Sequence, residues 1–307
     1  MKAAIIHDYG QTATIGDVNA PALSPDSVLV TVKAASLNPI DNILIAGHLK
    51  DMIPLTFPHV IGYDVAGVVA EVGADVTGVK VGDAVFARPN QQDAGSLAEV
   101  ARIKASELAI MPEALSFAEA ASLPLAGLTA WQALVDKAGL KAGQKVLIHA
   151  GSGGVGTLAI QIAKHIGAHV ATTVSPRNFD LVRDLGADVI IDYHDQRFED
   201  HVQDYDVVFD MLGGETLKRS FAVVRKGGHV VSIKGQDEDN LAEKHGVTFD
   251  WFFMEPNGDQ LTHLADLVRK GALKPVIDST FDFASSADAL AELAKGHAVG
   301  KIVVTMD

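Results

Sequence analysis

Residues 145–164 read KVLIHAGSGGVGTLAIQIAK, and no other stretch limits the possible folds of this chain so closely. Val146, Leu147 and Ile148 form a short apolar run of strand type. Gly151, Gly153 and Gly156 then make G-x-G-x-x-G, with Ser152, Gly154 and Val155 completing the loop. A helical pattern of apolar residues follows through Leu158, Ile160, Ile162 and Ala163. Each glycine has a physical task at this spacing. The first lets the chain turn sharply out of a strand, the second lets a pyrophosphate approach bare backbone, and the third lets the helix pack closely on the sheet. The N–H groups and partial positive charge at the helix start suit phosphate. The segment therefore predicts a dinucleotide-binding strand–turn–helix, against the plainer reading of a glycine-rich structural turn.

Composition narrows the remaining choices. A length of 307 residues suits about two domains, and 48% apolar residues supply a core. There is no cysteine, which excludes disulfides, thiol catalysis and thiolate metal sites. The formal charge of −14 argues against a nucleic-acid partner and an anionic membrane surface. No apolar run reaches the ~18 residues of a membrane span, and the N-terminal residues MKAAIIHDYG lack an apolar signal core. A cytoplasmic location is the resulting expectation.

Along the chain the first third reads as strands and turns. Residues 28–34 alternate, residues 65–72 follow Gly62, and residues 79–86 read as a hairpin through Gly82-Asp83. Short strands at such spacing predict a barrel-like β unit. Helical patterns at 117–121 and 129–138 lead into regular alternation. Strands are predicted at 145–149, 169–173, 189–191, 205–210 and 229–233, with helices at 155–165 and 178–185. Gly167, Gly186 and the pair Gly227-Gly228 stand where helices should stop. The tail predicts a helix at 261–270, a strand near 275–283, a helix at 286–294 and a last strand at 301–305. A completed doubly wound sheet has no place for that last strand, so it should return to the first domain. The predicted fold class is α/β: a Rossmann doubly wound parallel sheet at 122–265, inserted in a mainly β catalytic domain at 1–121 and 266–307, with a cleft between them.

Several segments carry a more specific resemblance: SLNPID at 36–41, GYDVAGVVAEVG at 62–73, VGDAVFA at 81–87, SLPLAGLTAWQAL at 122–134, HAGSGGVG at 149–156, FDMLGGETL at 209–217, KGGHVVSI at 226–233 and GKIVV at 300–304. In these, and in their order, the chain resembles the zinc-free quinone-oxidoreductase branch of the medium-chain dehydrogenase/reductase superfamily, which includes zeta-crystallin-like and alkenal/one-reductase-like enzymes. The resemblance implies a GroES-like catalytic domain, an NADP-dependent Rossmann domain and a homodimer.

The chain also departs from relatives. Zinc members carry Gly-His-Glu where Gly62-Tyr63-Asp64 stands, together with cysteine ligands. A catalytic zinc needs three protein ligands, so no metal is expected. Ile45 stands four residues after Asp41 where many quinone oxidoreductases have arginine, and Val299 precedes Gly300-Lys301 where relatives often have another.

An NAD enzyme places an acid about 20 residues beyond the first glycine. Here residues 172–177 read TTVSPR, so Ser175 and Arg177 present a hydroxyl and a cation suited to the 2′-phosphate of NADPH. Resemblance puts Tyr193 beside the same phosphate or ribose and Lys301 with the cofactor; Leu212 and Ile233 end strands on the nicotinamide side. For an enone, hydride goes to the β-carbon and charge builds on the carbonyl oxygen, which calls for donors. Tyr63, Asn38 and Thr129 are the candidates, weighed against a packed tyrosine and an Asx turn before Pro39. The expected function is an NADPH-dependent reductase of small quinones or α,β-unsaturated carbonyls. The alternatives are an enoyl-thioester reductase and a non-catalytic NADPH-binding sensor or structural protein. Loops at 43–54, 88–95 and 237–256 would shape the pocket. Trp251, Phe252 and Phe253 would border it or, preferably, form a strand at a dimer interface.

Overall fold

A computed structural model describes residues 1–90 and 95–306 of the chain. It divides into two units: Met1–Leu128 with Glu255–Gly271 and Pro275 to the C-terminal end, and Thr129–Met254 with Ala272–Lys274.

The first unit opens with β1 (Lys2–Ile6), β2 (Thr14–Asp17) and β3 (Ser27–Ser36). In β3, Val28, Val30 and Val32 are buried while Thr31 and Lys33 face solvent, the period-2 pattern of a strand with one wet face. The short helix α1 (Pro39–Ile45) follows, then β4 (His59–Val60), β5 (Asp64–Val72), β6 (Ala84–Ala87), β7 (Val100–Lys104) and β8 (Leu108–Ile110). The strand expected to start at 79 begins only at Ala84, so residues 79–86 are not a hairpin. Gly78 and Gly82 both adopt positive φ, and Asp83 accepts the Lys80 N–H at 2.9 Å, which ties 78–83 into a turn. β5 lies antiparallel on β3, where Gly67 passes so close that a Cβ would sit 2.2 Å from the Thr31 carbonyl oxygen. α2 (Phe117–Ala121) matches the expected helix and is closed by a Ser116–Glu119 capping box.

α3 (Pro124–Trp131) carries the chain into the second unit and continues as a π-helical stretch, Gln132–Lys137, where a plain helix is expected. The second unit then alternates: β9 (Lys145–Ile148), α4 (Gly154–Ile166), β10 (His169–Val174), α5 (Phe179–Asp184), β11 (Val189–Asp192), β12 (Tyr205–Asp210), α6 (Gly214–Ser220), β13 (Val224–Ser232), α7 (Leu241–His245) and β14 (Thr248–Trp251). The helices α6 and α7 have no clear sequence period. All strand pairs are parallel, in the order β11-β10-β9-β12-β13-β14. This is the doubly wound arrangement, whose order reverses between β9 and β12; ligands bind at the strand C-termini beside such a reversal. Leu147, Ala171, Val208 and Val230 pack as its core with Phe198 and Phe221. Trp251 ends the outermost strand, β14.

The remainder returns to the first unit: α8 (Gly258–Arg269), β15 (Ile277–Asp282), α9 (Ser286–Ala294) and β16 (Lys301–Thr305). The last strand pairs with β15 on one side and antiparallel with β3 on the other, completing a seven-stranded sheet. Val28, Val30, Val65, Val69, Val85 and Ile103 form the interior of that unit.

Candidate functional site

In the second unit the loop after β9 is held from below. His149 is fully buried, its imidazole set between the Thr173 hydroxyl at 3.1 Å and the Ser220 hydroxyl at 3.0 Å. Ser220 donates its own proton to the Thr216 carbonyl, so it accepts from Nε2–H and leaves Nδ1 to accept from Thr173. Burial, aided by nearby Arg219, pushes His149 down to about 3, so it stays neutral. Thr173 Oγ1 also accepts the N–H of Ala150, which sits at φ 52°.

The three glycines differ in what they permit. A Cβ on Gly151 would lie 1.9 Å from Thr172 Oγ1, and one on Gly156 would lie 2.3 Å from the Ala150 carbonyl oxygen. A Cβ on Gly153 would meet nothing closer than 3.4 Å. Gly151 and Gly156 therefore shape the turn, while Gly153 leaves open backbone. Gly153 is also the N-cap of α4 and, having no side chain, makes no side-chain cap to its first turn. Such a cradle fits a dinucleotide pyrophosphate.

At the end of β10 no acid intervenes. Asn178 donates to the Ser152 hydroxyl at 2.9 Å and fastens this end to the glycine loop. The Ser175 hydroxyl is buried without a partner, Arg177 is exposed, and Tyr193 is 58% exposed with its ring against His194. Leu212 is exposed and Ile233 half-buried. Both are anchored by Asp210, which the sequence reading missed: its carboxylate takes the N–H groups of Leu212 and Gly213 and the Ser232 hydroxyl at 2.8 Å, and its carbonyl takes the Ile233 N–H. The signal was available as an acid ending a strand before Gly213-Gly214.

A second polar cluster lies inside the first unit. Asp64, at the start of β5, accepts the Leu125 N–H at 2.7 Å, the Asn38 amide at 2.9 Å and the Lys301 ammonium at 3.3 Å. Lys301 also donates to the Leu37 carbonyl at 2.7 Å and to Asn38 Oδ1. The three protons of its ammonium thus have three acceptors within the cluster. Asn38 is only 2% exposed and its side chain is taken up by these bonds, while its backbone N–H goes to Asp41 Oδ2 at 2.7 Å. Burial pushes Asp64 up and Lys301 down. Lys301, Asn38 and Leu125 oppose that rise in Asp64.

Tyr63 is 2% exposed, its phenol has no partner, and the Arg88 guanidinium lies 4.7 Å from its ring centre. Burial pushes its phenol up, out of the ordinary range. Tyr63 lines a small recess with Asp41, Leu44, Ile45, Leu55, His59, Ile61 and Gly62. The remaining catalytic candidate, Thr129, is buried and begins the second unit. Of the loop expected at 88–95, residues 91–94 lie outside the described residues.

Zinc fits poorly. Among the described residues no three His, Cys, Asp or Glu side chains form a group able to hold a metal. Asp64, beside the position of the zinc ligands in zinc members, is committed to Asn38, Lys301 and Leu125.

Residues 24–115 match the model of the alcohol dehydrogenase GroES-like domain, and residues 185–304 match that of a zinc-binding dehydrogenase. The chain is 39% identical to the NADPH-dependent alkenal/one oxidoreductase, chloroplastic, of Arabidopsis thaliana, over 99% of this chain and 79% of that protein. It is 40% identical to the 2-methylene-furan-3-one reductase of Solanum lycopersicum over the same shares. The structure of the quinone oxidoreductase from Coxiella burnetii superposes with a TM-score of 0.90 at 34% identity, covering 100% of this chain and 99% of that one.

Proposed function

The chain belongs to the medium-chain dehydrogenase/reductase superfamily, in the branch of quinone oxidoreductases and alkenal/one reductases, and from that premise we propose an NADPH-dependent reductase of small quinones or α,β-unsaturated carbonyls. The observation that carries this reading is the bare Gly153 cradle at the head of α4, beside a β10 end that offers Ser175 and Arg177 and no acid. The bound nicotinamide cofactor supplies the hydride. Gly151, Ser152, Gly153, Gly154, Val155 and Gly156 hold the pyrophosphate. Ser175 and Arg177 take the 2′-phosphate, with Tyr193 at its ribose. Leu212 and Ile233 flank the nicotinamide, their backbone set by Asp210.

Tyr63 serves the carbonyl oxygen of the acceptor. Asn38, held by Lys301 and Asp64, keeps the turn before α1 in place. Lys301 contributes to cofactor binding through that turn, and Thr129 is the remaining candidate donor. The GroES-like unit, 1–121 with 266–307, is the catalytic domain, and 122–265 is the nucleotide domain. A homodimer pairs through β14 and the residues just after it, where Phe253 is 46% exposed with its ring 5.0 Å from that of Trp251. A cytoplasmic location completes the reading; no helix among the described residues is long and apolar enough to cross a membrane.

The test follows absorbance at 340 nm with NADPH and NADH in parallel, against a benzoquinone, a naphthoquinone, an alkenal, an alkenone and a crotonyl thioester. Preferential NADPH oxidation with a quinone, alkenal or alkenone supports the reading. NADPH binding without turnover on any acceptor favours a sensor or structural protein.

A further inference from the structure

Asn178 is the N-cap residue of α5. Asparagine is among the best residues for that task, because its side-chain oxygen can accept an N–H of the first helical turn. Here it makes no such bond, and its backbone, at φ −110° and ψ 9°, is not the extended one of an ordinary cap. Its amide instead donates to the Ser152 hydroxyl at 2.9 Å, 26 positions back in the chain. The side chain serves the glycine loop rather than its own helix.

Both ends of this bond are held. Asn178 is 8% exposed, and its N–H donates to the Ser175 carbonyl at 3.0 Å, closing the single turn Pro176–Asn178. Ser152 lies between Gly151, which turns the chain out of β9, and Gly153, the N-cap of α4. All of these residues belong to the second unit.

The direction of the bond has a chemical consequence. A serine hydroxyl has one proton and two acceptor lone pairs. Asn178 occupies a lone pair with its own N–H, so the Ser152 proton must go elsewhere. Among the described residues no acceptor takes it. The acceptor that a bound dinucleotide brings to this loop is its pyrophosphate, and a hydroxyl that donates to a charged oxygen makes one of the stronger hydrogen bonds.

We propose that Asn178 is a positioning residue for the pyrophosphate of the cofactor: by donating to Ser152 it commits the Ser152 hydroxyl proton to a phosphate oxygen. This rests on the NADPH reading above. Asn178 follows Arg177 directly, yet its side chain acts on the pyrophosphate and not on the 2′-phosphate that separates NADPH from NADH. The turn presenting Ser175 and Arg177 is closed by backbone and stiffened by Pro176, so it survives loss of the Asn178 side chain.

The test measures dissociation constants of ADP, NADPH and NADH by calorimetry for the full chain, with Asn178→Ser, Ser152→Ala and both together. Serine at 178 can still cap α5 but is too short to reach Ser152. Asn178→Ser should weaken all three nucleotides about tenfold, the loss of one hydrogen bond to a charged group. The NADPH-to-NADH ratio and the melting temperature of the ligand-free protein should stay at their wild-type values. Ser152→Ala should lose about as much, and adding Asn178→Ser to it should cost nothing further. Asn178→Asp gives a second check: it keeps the size and the capping ability but can only accept, so it draws the Ser152 proton back. Its loss of ADP affinity should shrink once Ser152 is alanine. Unchanged ADP binding in Asn178→Ser, a loss that persists in full beside Ser152→Ala, or a loss confined to NADPH would overturn the proposal. A folded wild type that binds none of the nucleotides would overturn the cofactor reading with it. The expected losses in a protein that reduces no acceptor would sink the reductase reading and leave the role of Asn178 standing.

Discussion

Lys301 and Asp64 lie 237 positions apart and meet at 3.3 Å where neither side chain is more than 6% exposed. The pair closes β16 onto the start of β5 and holds the Asn38 turn between them. Taking two such charges from water costs several kcal/mol per ion, and the bonds from Asn38 and Leu125 help offset this.

Removing one partner should therefore cost more than removing both. Lys301→Met leaves the Asp64 charge uncompensated and should destabilise by about 3–5 kcal/mol, whereas Asp64→Asn with Lys301→Met should recover part of that loss. Urea unfolding of the three variants at neutral pH measures both quantities. Equal loss in the single and double variants would show that the pair is not coupled.

Stability should respond to pH through Asp41. Its folded carboxyl is raised to about 7, above the ordinary 3.8, so the folded state binds the proton more tightly than the unfolded state does. Stability from this group is full below about pH 4 and declines as pH rises to about 7. Asp41→Asn cannot ionise, so relative to wild type it should gain roughly 2–4 kcal/mol between about pH 4 and 8. Urea titrations at both ends of that window give the comparison.

The glycines of the cradle should separate into two behaviours. Gly151→Ala and Gly156→Ala force contacts of 1.9 and 2.3 Å and should lower stability by about 1–3 kcal/mol. Gly153→Ala meets only ordinary contact, so it should fold normally and lose NADPH affinity by at least tenfold. Thermal unfolding combined with NADPH fluorescence titration distinguishes the classes.

Cofactor choice should turn at the end of β10. Ser175→Asp places a carboxylate where the 2′-phosphate is expected and should reduce the NADPH-to-NADH ratio of kcat/KM by about 10–100-fold. An unchanged ratio would move the phosphate site elsewhere.

The glycine loop and its flanking strand and helix were legible because their signals are local: β-branched runs, glycine spacing and a helical apolar period. The strands at 205–210 and 301–305 and the helix at 286–294 were legible for the same reason. The helices α6 and α7 were not, since each is only five to seven residues long, too short to express a period. The hairpin expected at 79–86 failed because two glycines of positive φ and the Asp83 carboxylate turn half of it into a bend.

The polar partnerships were of another kind. Tyr63 and Asn38 stood out by position alone; nothing near Tyr63 in the chain announces Arg88, and nothing near Asn38 announces Asp64 or Lys301. Asp41 Oδ2 holds the Asn38 turn, and only the fold sets its second oxygen in the same recess as an unpaired phenol. Backbone preferences and side-chain periods act over a few residues, so the order of strands, turns and helices can be read from the chain itself. Burial and charge pairing act through space, so the meeting of Lys301 with Asp64, and the desolvation that lifts Asp41, exist only once distant strands have been brought together.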